Sequence, residues 1–217
     1  MVRNSLALLF TVLFSWISVA ATAGNGTLQK VGKKYRASKL VEMSVEKIVK
    51  SELLGKETKY EGKIYLANGK FRWENTTPEQ TLLVFDGSTI WSVQTPPKEF
   101  GGPVQVAKGK VDKKTRSHIL ISSLLGEDLA KTFKIVSEKK DGDLIHLDVE
   151  PVQGGDLTVK SMKLVVKTKD NTLRSVSYLD DIGNQTTMNF SKIEFLKKEN
   201  KKLFKYQPPK DAQVTDL

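Results

Sequence analysis

Residues 70–91, KFRWENTTPEQTLLVFDGSTIW, contain the pattern on which the fold prediction depends. Phe71 and Trp73 alternate here with Arg72 and Glu74. Since successive side chains of a β-strand point to opposite faces, this spacing would put two aromatic rings on one face and two charges on the other. The stretch therefore predicts a strand with one aromatic face and one charged face.

Short strand patterns and turn signals continue along most of the chain. Asp86-Gly87 is a hairpin turn signal, and Asp141-Gly142 and Asp170-Asn171 are comparable signals later in the sequence. About eleven strands can be counted in this way. The tail 207–217, QPPKDAQVTDL, is predicted to be an irregular extension because adjacent prolines interrupt a strand.

Two segments have helical spacing instead. The first is GTLQKVGKKYRASK, residues 26–39, with Thr27 as the predicted N-cap. Its apolar face consists of Leu28, Val31 and Tyr35. The second is SHILISSLLGEDLAK, residues 117–131. The predicted fold class is therefore α+β, a large antiparallel sheet of about eleven strands partly covered by two or three short helices.

The N-terminus has the layout of a secretory signal peptide. Arg3 lies in a short basic region, an apolar run extends from residue 6 to 19, and Ala21-Thr22-Ala23 forms a cleavage pattern. An uncleaved membrane anchor is the alternative, but polar residues interrupt the run and a cleavage pattern follows it. We therefore predict that residues 1–23 are removed and that residues 24–217 form one exported domain.

Positive charge is spread along the chain, which has 35 Lys and Arg, 25 Asp and Glu, and a formal net charge of +10. Nucleic-acid binders usually concentrate such charge on one helix or arm, so no nucleic-acid partner is expected. Two interpretations remain open. The lysines either prevent sheet edges from pairing, or they attract the protein to an anionic membrane surface or an acidic partner.

The sequence does not indicate an enzyme. It contains 0 Cys, which excludes disulfides, thiolate metal sites and Cys nucleophiles. His118 and His146 are too far apart for metal-ligand spacing. The paired acids Glu127-Asp128 and Asp180-Asp181 lie in turn patterns, where solvated carboxylates are usual. We therefore predict no catalytic residue, no metal site and no cofactor.

Three motifs occur in an order that is typical of one protein family. Residues 71–91 contain an F-x-W strand, a loop with a proline, and the hairpin sequence DGSTIW. Residues 173–186 form a late hairpin pattern with Gly, Gln and Thr, and residues 203–214 are LFKYQPPKDAQV. This ordered set resembles the outer-membrane lipoprotein carrier proteins, with Asp211 where that family has Gly.

The resemblance implies a particular fold and binding site. The fold would be an unclosed, strongly curved β-barrel whose helices form a lid over an apolar cavity. The cavity-lining residues would be Phe71, Trp73, Leu82, Val84 and Trp91. The lid candidates are Ile119, Leu120 and Leu124. On the opposite, outer side of the sheet, Arg72 and Glu74 would face water.

The resemblance also implies a function in lipoprotein sorting. The protein would be a periplasmic chaperone, expected to be a monomer, that carries lipoproteins from the inner to the outer membrane. Its partners would be acylated lipoproteins, an inner-membrane ATP-binding-cassette lipoprotein-releasing complex and an outer-membrane lipoprotein receptor. Where well-studied members have Arg-Pro in a lid latch, this sequence has Ala67-Asn68. We therefore assign no arginine latch.

Two other classes of function remain possible for the same sequence. One is a periplasmic regulator that senses lipid or lipoprotein, although we expect no second, signalling domain in a chain of 217 residues. The other is a structural exported β-protein whose aromatic residues fill the core. A cavity behind Phe71 and Trp73 would favour a carrier, whereas a filled interior would favour the structural protein.

Overall fold

The computed structural model describes residues 25–67, 69–111, 129–152, 159–180 and 182–217. Within these residues there are twelve β-strands, two α-helical segments and one 3₁₀ helix. The strands are β1 (Leu40–Ser51), β2 (Lys56–Ala67), β3 (Lys70–Thr77), β4 (Gln80–Phe85), β5 (Thr89–Thr95), β6 (Gln105–Lys110), β7 (Phe133–Asp141), β8 (Leu144–Pro151), β9 (Met162–Lys167), β10 (Thr172–Leu179), β11 (Gln185–Leu196) and β12 (Gln213–Asp216). The helices are α1 (Gly26–Ala37), α2 (Leu129–Thr132) and the 3₁₀ helix Lys201–Phe204.

The twelve strands form one sheet in the order β12-β6-β5-β4-β3-β2-β1-β11-β10-β9-β8-β7. Neighbouring strands are antiparallel, except that β12 is parallel to β6. Strand β1 pairs with β2 on one side and β11 on the other, so it joins the meanders β2–β6 and β7–β11. The two edge strands do not pair with each other, and the sheet is therefore unclosed.

This architecture confirms the predicted fold class, with one strand more than the sequence indicated. The additional strand lies in the tail, where the prediction of an irregular chain was wrong. Gln213–Asp216 pairs with β6, and the Leu217 amide donates to the Lys108 carbonyl oxygen at 2.7 Å. Pro208 and Pro209 precede this strand rather than interrupt it, and an edge strand needs hydrogen-bond partners on one side only.

Three predicted turns are confirmed by the strand boundaries. Asp86-Gly87 lies between β4 and β5, Asp141-Gly142 between β7 and β8, and Asp170-Asn171 between β9 and β10. Gly142 and Asn171 have φ angles of 57° and 51°. Glycine and asparagine adopt this left-handed conformation more readily than other residues, which explains why they mark tight turns.

Helix α1 covers one face of the sheet, which we call the inner face. Its predicted apolar side is buried, but the predicted N-cap was wrong. Asn25, not Thr27, occupies the N-cap position, and its side-chain amide donates to the Ala130 carbonyl oxygen at 2.9 Å. The side-chain oxygen of Asn25 also accepts a hydrogen bond from the Ile135 amide at 3.3 Å. Asn25 therefore joins α1 to α2 and β7 instead of capping the helix.

The main hydrophobic core lies between α1 and the inner face. On β1, Val41, Met43 and Val45 contribute to it, as their alternation with polar residues predicts. Val111 and Leu129, which stand on either side of segment 112–128, also belong to this core. The two residues that flank this segment therefore lie at the inner face.

Two predictions concern parts of the chain outside the described residues. The signal peptide, residues 1–23, stays a prediction. The lid candidates Ile119, Leu120 and Leu124 also lie outside the described ranges. Within the described part of the chain, no helix is long and apolar enough to cross a membrane.

Candidate functional site

Strand β3 places Phe71 and Trp73 on one shared face, as their alternation predicts, and this is the inner face. In the antiparallel pair β3–β4, Phe71 is opposite Phe85 and Trp73 is opposite Leu83. Phe71 is 1% exposed and belongs to the main core, whereas Trp73 is half-buried and packs against the edge of that core. The accessible part of the aromatic face therefore begins at Trp73.

Three of the predicted wall residues lie on the outer face instead: Leu82, Val84 and Trp91. Val84 is opposite Arg72 on one side and Trp91 on the other. Because side chains alternate along each strand, this row of residues shares the face of Arg72 and not that of Phe71. The prediction was wrong because β4 is apolar on both faces, so its composition does not reveal which side chains point inward.

Leu83, Phe85 and Ile90 occupy the inner-face positions that the sequence analysis missed. Phe85 is opposite Phe71 on β3 and Ile90 on β5. Leu83 and Ile90, like Trp73, are partly buried and pack against the main core. The spacing of Leu83 and Phe85 matches that of Trp73 and Phe71, and this was the signal that could have identified them.

The C-terminal segment, residues 200–217, contacts the outer face of β3–β5 through Leu203 and Tyr206 and then ends in the edge strand β12. Arg72 Nη1 donates to the Leu203 carbonyl oxygen at 3.1 Å, and Arg72 Nε forms an ion pair with Glu74. The ring centroids of Trp91 and Tyr206 are 5.6 Å apart. The prediction that Arg72 simply faces water was therefore wrong, since its side chain is only 20% exposed. Packing against Tyr206 explains why an aromatic residue, Trp91, lies on the outer face.

A small hydrophobic cluster holds the same C-terminal segment against β1 and β2. Phe204, which is 2% exposed, packs with Leu40, Tyr65 and Ala67. Ala67 occupies the position at which the resemblance would place the arginine of a latch. It is 3% exposed, so a longer side chain there would displace Phe204 or its neighbours.

Lys47 lies on the inner face, where the sequence analysis assigned no charged residue. Lys47 lies two residues after Val45 and therefore on the same face of β1. It is opposite Met188 on β11 and Tyr60 on β2. Its Nζ lies 5.4 Å from the ring centroid of Tyr60 and 5.5 Å from that of Trp73. Burial lowers the pKa of Lys47 from its ordinary value, because it disfavours the charged form. Extending the alternation of β1 by two residues would have identified this position.

Two polar atoms on the inner face, Trp73 Nε1 and Asn75 Oδ1, are buried without a hydrogen-bond partner. Trp73 and Asn75 are two positions apart on β3 and therefore share a face. Asn75 Nδ2 donates to Thr81 Oγ1 at 2.8 Å, so only one end of the amide is paired. A buried polar atom without a partner costs free energy that a bound group of the right chemistry would recover.

Three grooves on the described surface have volumes of about 520, 500 and 530 Å³. The first and third lie along β7–β11, and the second lies around Glu46, Lys63 and Glu74 on the outer face. Neither Phe71 nor Trp73 lines any of these three grooves. Among the residues that the structure describes, no group of three His, Cys, Asp or Glu could hold a metal ion. Among the described residues, the inner face brings the apolar side chains of Trp73, Leu83 and Ile90 together with the cation of Lys47.

Comparison with known proteins identifies relatives over most of the chain. Residues 46–207 match the family described as "Outer membrane lipoprotein carrier protein LolA". The chain is 28% identical over 165 residues to the outer-membrane lipoprotein carrier protein of Chromobacterium violaceum, covering 74% of each protein. It is 30% identical over 146 residues to the protein of the same name from Dechloromonas aromatica, covering 67% of this chain and 66% of that one.

A solved structure shows the same fold. An uncharacterized conserved protein from Thermus thermophilus aligns with a TM-score of 0.52 at 15% sequence identity. The alignment covers 88% of this chain and 97% of the Thermus protein. The family match itself extends from within β1 to the C-terminal segment, and so includes the inner face and the strand that carries Phe71 and Trp73. The chain therefore belongs to the outer membrane lipoprotein carrier protein family.

Proposed function

We propose that this protein is a periplasmic chaperone that binds the acyl chains of lipoproteins on the inner face of its sheet. Family membership supports a carrier role, since the relatives from C. violaceum and D. aromatica are named outer-membrane lipoprotein carrier proteins. It also supports the expectation that the protein is not an enzyme. The observation that carries the proposal is the partly buried group Trp73, Leu83 and Ile90, which adjoins the core without being enclosed by it.

The size of the hydrophobic effect explains why acylated proteins need a carrier. Each methylene group removed from water contributes about 0.8 kcal/mol, so an acyl chain of about 16 carbons carries about 12 kcal/mol of transfer free energy. A protein with several such chains does not cross an aqueous compartment unescorted at a useful rate. A carrier must therefore cover the chains with apolar surface and still release them.

The binding wall that we propose differs from the one predicted from the sequence. It consists of Trp73, Leu83 and Ile90, which pack against the core that contains Phe71 and Phe85. Segment 112–128, which contains the lid candidates Ile119, Leu120 and Leu124, would cover this wall. Its flanking residues Val111 and Leu129 both lie in the inner-face core, which supports this role.

Transport requires a donor and an acceptor for the cargo. We propose an inner-membrane ATP-binding-cassette complex as the donor of acylated lipoproteins and an outer-membrane lipoprotein receptor as the acceptor. The proposal follows from family membership together with the predicted export signal in residues 1–23. Uptake and release both require the apolar wall to open, and its half-buried side chains are already at the boundary of the core.

The experiment that tests this function compares two neighbouring residues of β4. Leu83 lies on the inner face and Leu82 on the outer face, and both are half-buried. Leu83→Glu should remove bound acyl cargo, because a carboxylate on the apolar wall would have to be desolvated. Leu82→Glu makes the same chemical change on the opposite face and should leave the cargo bound. The measurement is mass spectrometry of acylated proteins that co-purify with each variant.

Circular dichroism should show that both variants remain folded. Loss of cargo from Leu82→Glu alone, or from both variants equally, would contradict an inner-face site. If the unaltered protein purified from the periplasm contains no acylated protein, the carrier function itself is wrong. A structural β-protein would then be the better interpretation.

A further inference from the structure

Lys47 is a cation on the inner face, beside apolar and aromatic side chains. On β1 it follows Val45, which is 3% exposed, and across the sheet it is opposite Met188, which is 1% exposed. Taking an ammonium group out of water is costly unless a partner compensates for the lost hydration. Within the described ranges, no carboxylate lies within 4.0 Å of Lys47 Nζ. Its charge is therefore not neutralised by an ion pair there.

Two aromatic rings take the place of an acidic partner. The Nζ atom lies 5.4 Å from the ring centroid of Tyr60 and 5.5 Å from that of Trp73. Such contacts attract the positive charge, but they provide no lone pairs for the three N–H donors of the ammonium group. Lys47 is therefore held in place with its hydrogen-bonding capacity unused by the described residues.

Two polar atoms without hydrogen-bond partners lie on the same face as this cation. Trp73 Nε1 is a buried donor without an acceptor, and its ring is one of the two that contact Lys47. Asn75 Oδ1, two positions along the same face, is a buried acceptor without a donor. Two donors and one acceptor thus share the inner face with the apolar side chains of the proposed wall, and none of the three atoms has a hydrogen-bond partner among the described residues.

We infer that Lys47, Trp73 and Asn75 form a polar anchor that binds the carbonyl group of an acyl ligand, in an amide or a carboxylate. The inference rests on the proposed function and deepens it by fixing the position of the ligand's polar end. The ammonium of Lys47 and the indole N–H of Trp73 donate to the carbonyl oxygen. Asn75 Oδ1 accepts a hydrogen bond from an amide N–H. The alkyl chain then extends over Leu83 and Ile90.

The chemistry of the three atoms excludes other ligand types. A cationic head group would be repelled by Lys47, and an alkane without oxygen would leave both donors unpaired. Trp73 is only half-buried, so part of its ring is accessible to a ligand beside the buried Nε1. A ligand with an oxygen acceptor at one end of an apolar chain satisfies both the polar atoms and the adjacent wall.

The test uses three probes with the same 12-carbon chain length: laurate, N-methyl lauramide and dodecylammonium. Their affinities for the purified protein are measured by displacement of N-phenyl-1-naphthylamine, a neutral fluorescent probe of apolar sites. Lys47→Met keeps the length of the side chain and removes its charge. Lys63→Met makes the same change on the outer face, where Lys63 pairs with Glu42 at 3.2 Å, and serves as the control.

Lys47→Met should weaken the binding of laurate and N-methyl lauramide at least tenfold relative to the unaltered protein. Its affinity for dodecylammonium should stay within twofold or become higher. Trp73→Phe, which keeps an aromatic ring but removes the indole N–H, should weaken the same two probes. Lys63→Met should change none of the affinities more than twofold. If Lys47→Met weakens the binding of laurate alone, the anchor recognises a free carboxylate, and its role in binding amide-linked chains is overturned.

Two results would overturn the anchor while leaving the carrier function intact. In the first, both carbonyl probes bind Lys47→Met within twofold of the unaltered protein. In the second, all three probes weaken equally, which indicates a general loss of packing. If the unaltered protein binds none of the probes, the proposed function fails as well.

Discussion

The rings of Phe71 and Phe85 pack against each other across β3 and β4, with centroids 5.9 Å apart and planes inclined by 36°. Both side chains are at most 1% exposed. This pair fixes the register of the hairpin, because moving either strand by one residue would turn one ring to the outer face. The half-buried residues of the proposed wall depend on this register for their position.

Phe85→Ala should lower the free energy of unfolding by about 3–5 kcal/mol, the usual loss for a buried phenylalanine. Urea denaturation at neutral pH measures this change. Leu179→Ala is a suitable control, because Leu179 is 60% exposed and its truncation should have little effect. A similar loss of stability in both variants would contradict the assignment of Phe85 to the core.

Phe71→Glu and Trp73→Glu should have different consequences, although both residues lie on the same strand face. Phe71 is enclosed in the core, so a carboxylate there should unfold the protein. Trp73 is half-buried, so Trp73→Glu should remain folded and lose its acyl ligands. Circular dichroism and ligand displacement separate the two results. A folded Phe71→Glu variant that binds ligand would show that the core has been wrongly located.

Asp86 should make the stability of the β4–β5 turn dependent on pH. Partial burial alone would raise the pKa of Asp86, but hydrogen bonds from the Thr89 amide and from the Ser88 amide and hydroxyl outweigh this and hold the pKa below its ordinary value. A carboxylate whose pKa is depressed on folding stabilises the protein above its unfolded-state pKa, and loses this effect as pH falls through the folded-state pKa.

Asp86→Asn should therefore lower the free energy of unfolding by about 1 kcal/mol at pH 7. The difference from the unaltered protein should shrink as pH is lowered below the ordinary carboxyl pKa of about 4. Urea denaturation at several pH values measures it. An equal difference at every pH would mean that the charge of Asp86 does not contribute.

The C-terminal segment should separate from the sheet when its buried anchor is removed. Phe204→Ala deletes a side chain that is 2% exposed between β1 and β2, so residues 205–217 should become accessible to protease. Limited proteolysis followed by mass spectrometry locates the cuts. Protection equal to that of the unaltered protein would show that the contacts of Arg72 and Tyr206 hold the segment without Phe204.

Lysines near the C-terminal segment distinguish the two interpretations of the positive charge. Lys197 and Lys198 are exposed, as are Lys139 and Lys140 on the edge strand β7. Reversing either pair to glutamate should barely change the melting temperature, because exposed charges contribute little to stability. If Lys197 and Lys198 steer the carrier to an acidic partner, their reversal alone should slow association at low salt and flatten its salt dependence.

Stopped-flow association with a purified outer-membrane receptor measures this effect. Equal slowing by both pairs would show that only net charge matters. Unchanged rates for both pairs would leave the lysines as solvated residues that protect the edges of the sheet.

The sequence predicted those features that depend on neighbouring residues. Alternation along β3 placed Phe71 and Trp73 on one face, and Asp86-Gly87 located the turn after β4. The inward-facing residues of β4 could not be predicted, because both faces of this strand are apolar. The two faces differ because the C-terminal segment, which is distant in the sequence, packs on the outer one through the contact of Tyr206 with Trp91. Contacts of this kind leave no local pattern.

The inward orientation of Lys47 could not be predicted for a different reason. Its alternation with Val45 was visible, but a lysine at the end of an apolar pattern is usually an exposed residue that ends the buried face. The rings of Tyr60 and Trp73, which make an inward-facing lysine tolerable, come from two other strands. The strand count was also too low by one, because β12 is defined by its partner β6 and not by its own residues.

The pairing of β1 with β11 determines when the sheet can be completed. Leu40, at the start of β1, pairs with Leu196, so one side of the first strand has no partner until nearly the whole chain has been synthesised. Contacts between such distant residues form slowly, because a long loop must close before they contribute. Complete folding is therefore postponed until late in synthesis. If residues 1–23 direct export as predicted, this delay keeps the chain incompletely folded while it crosses the inner membrane.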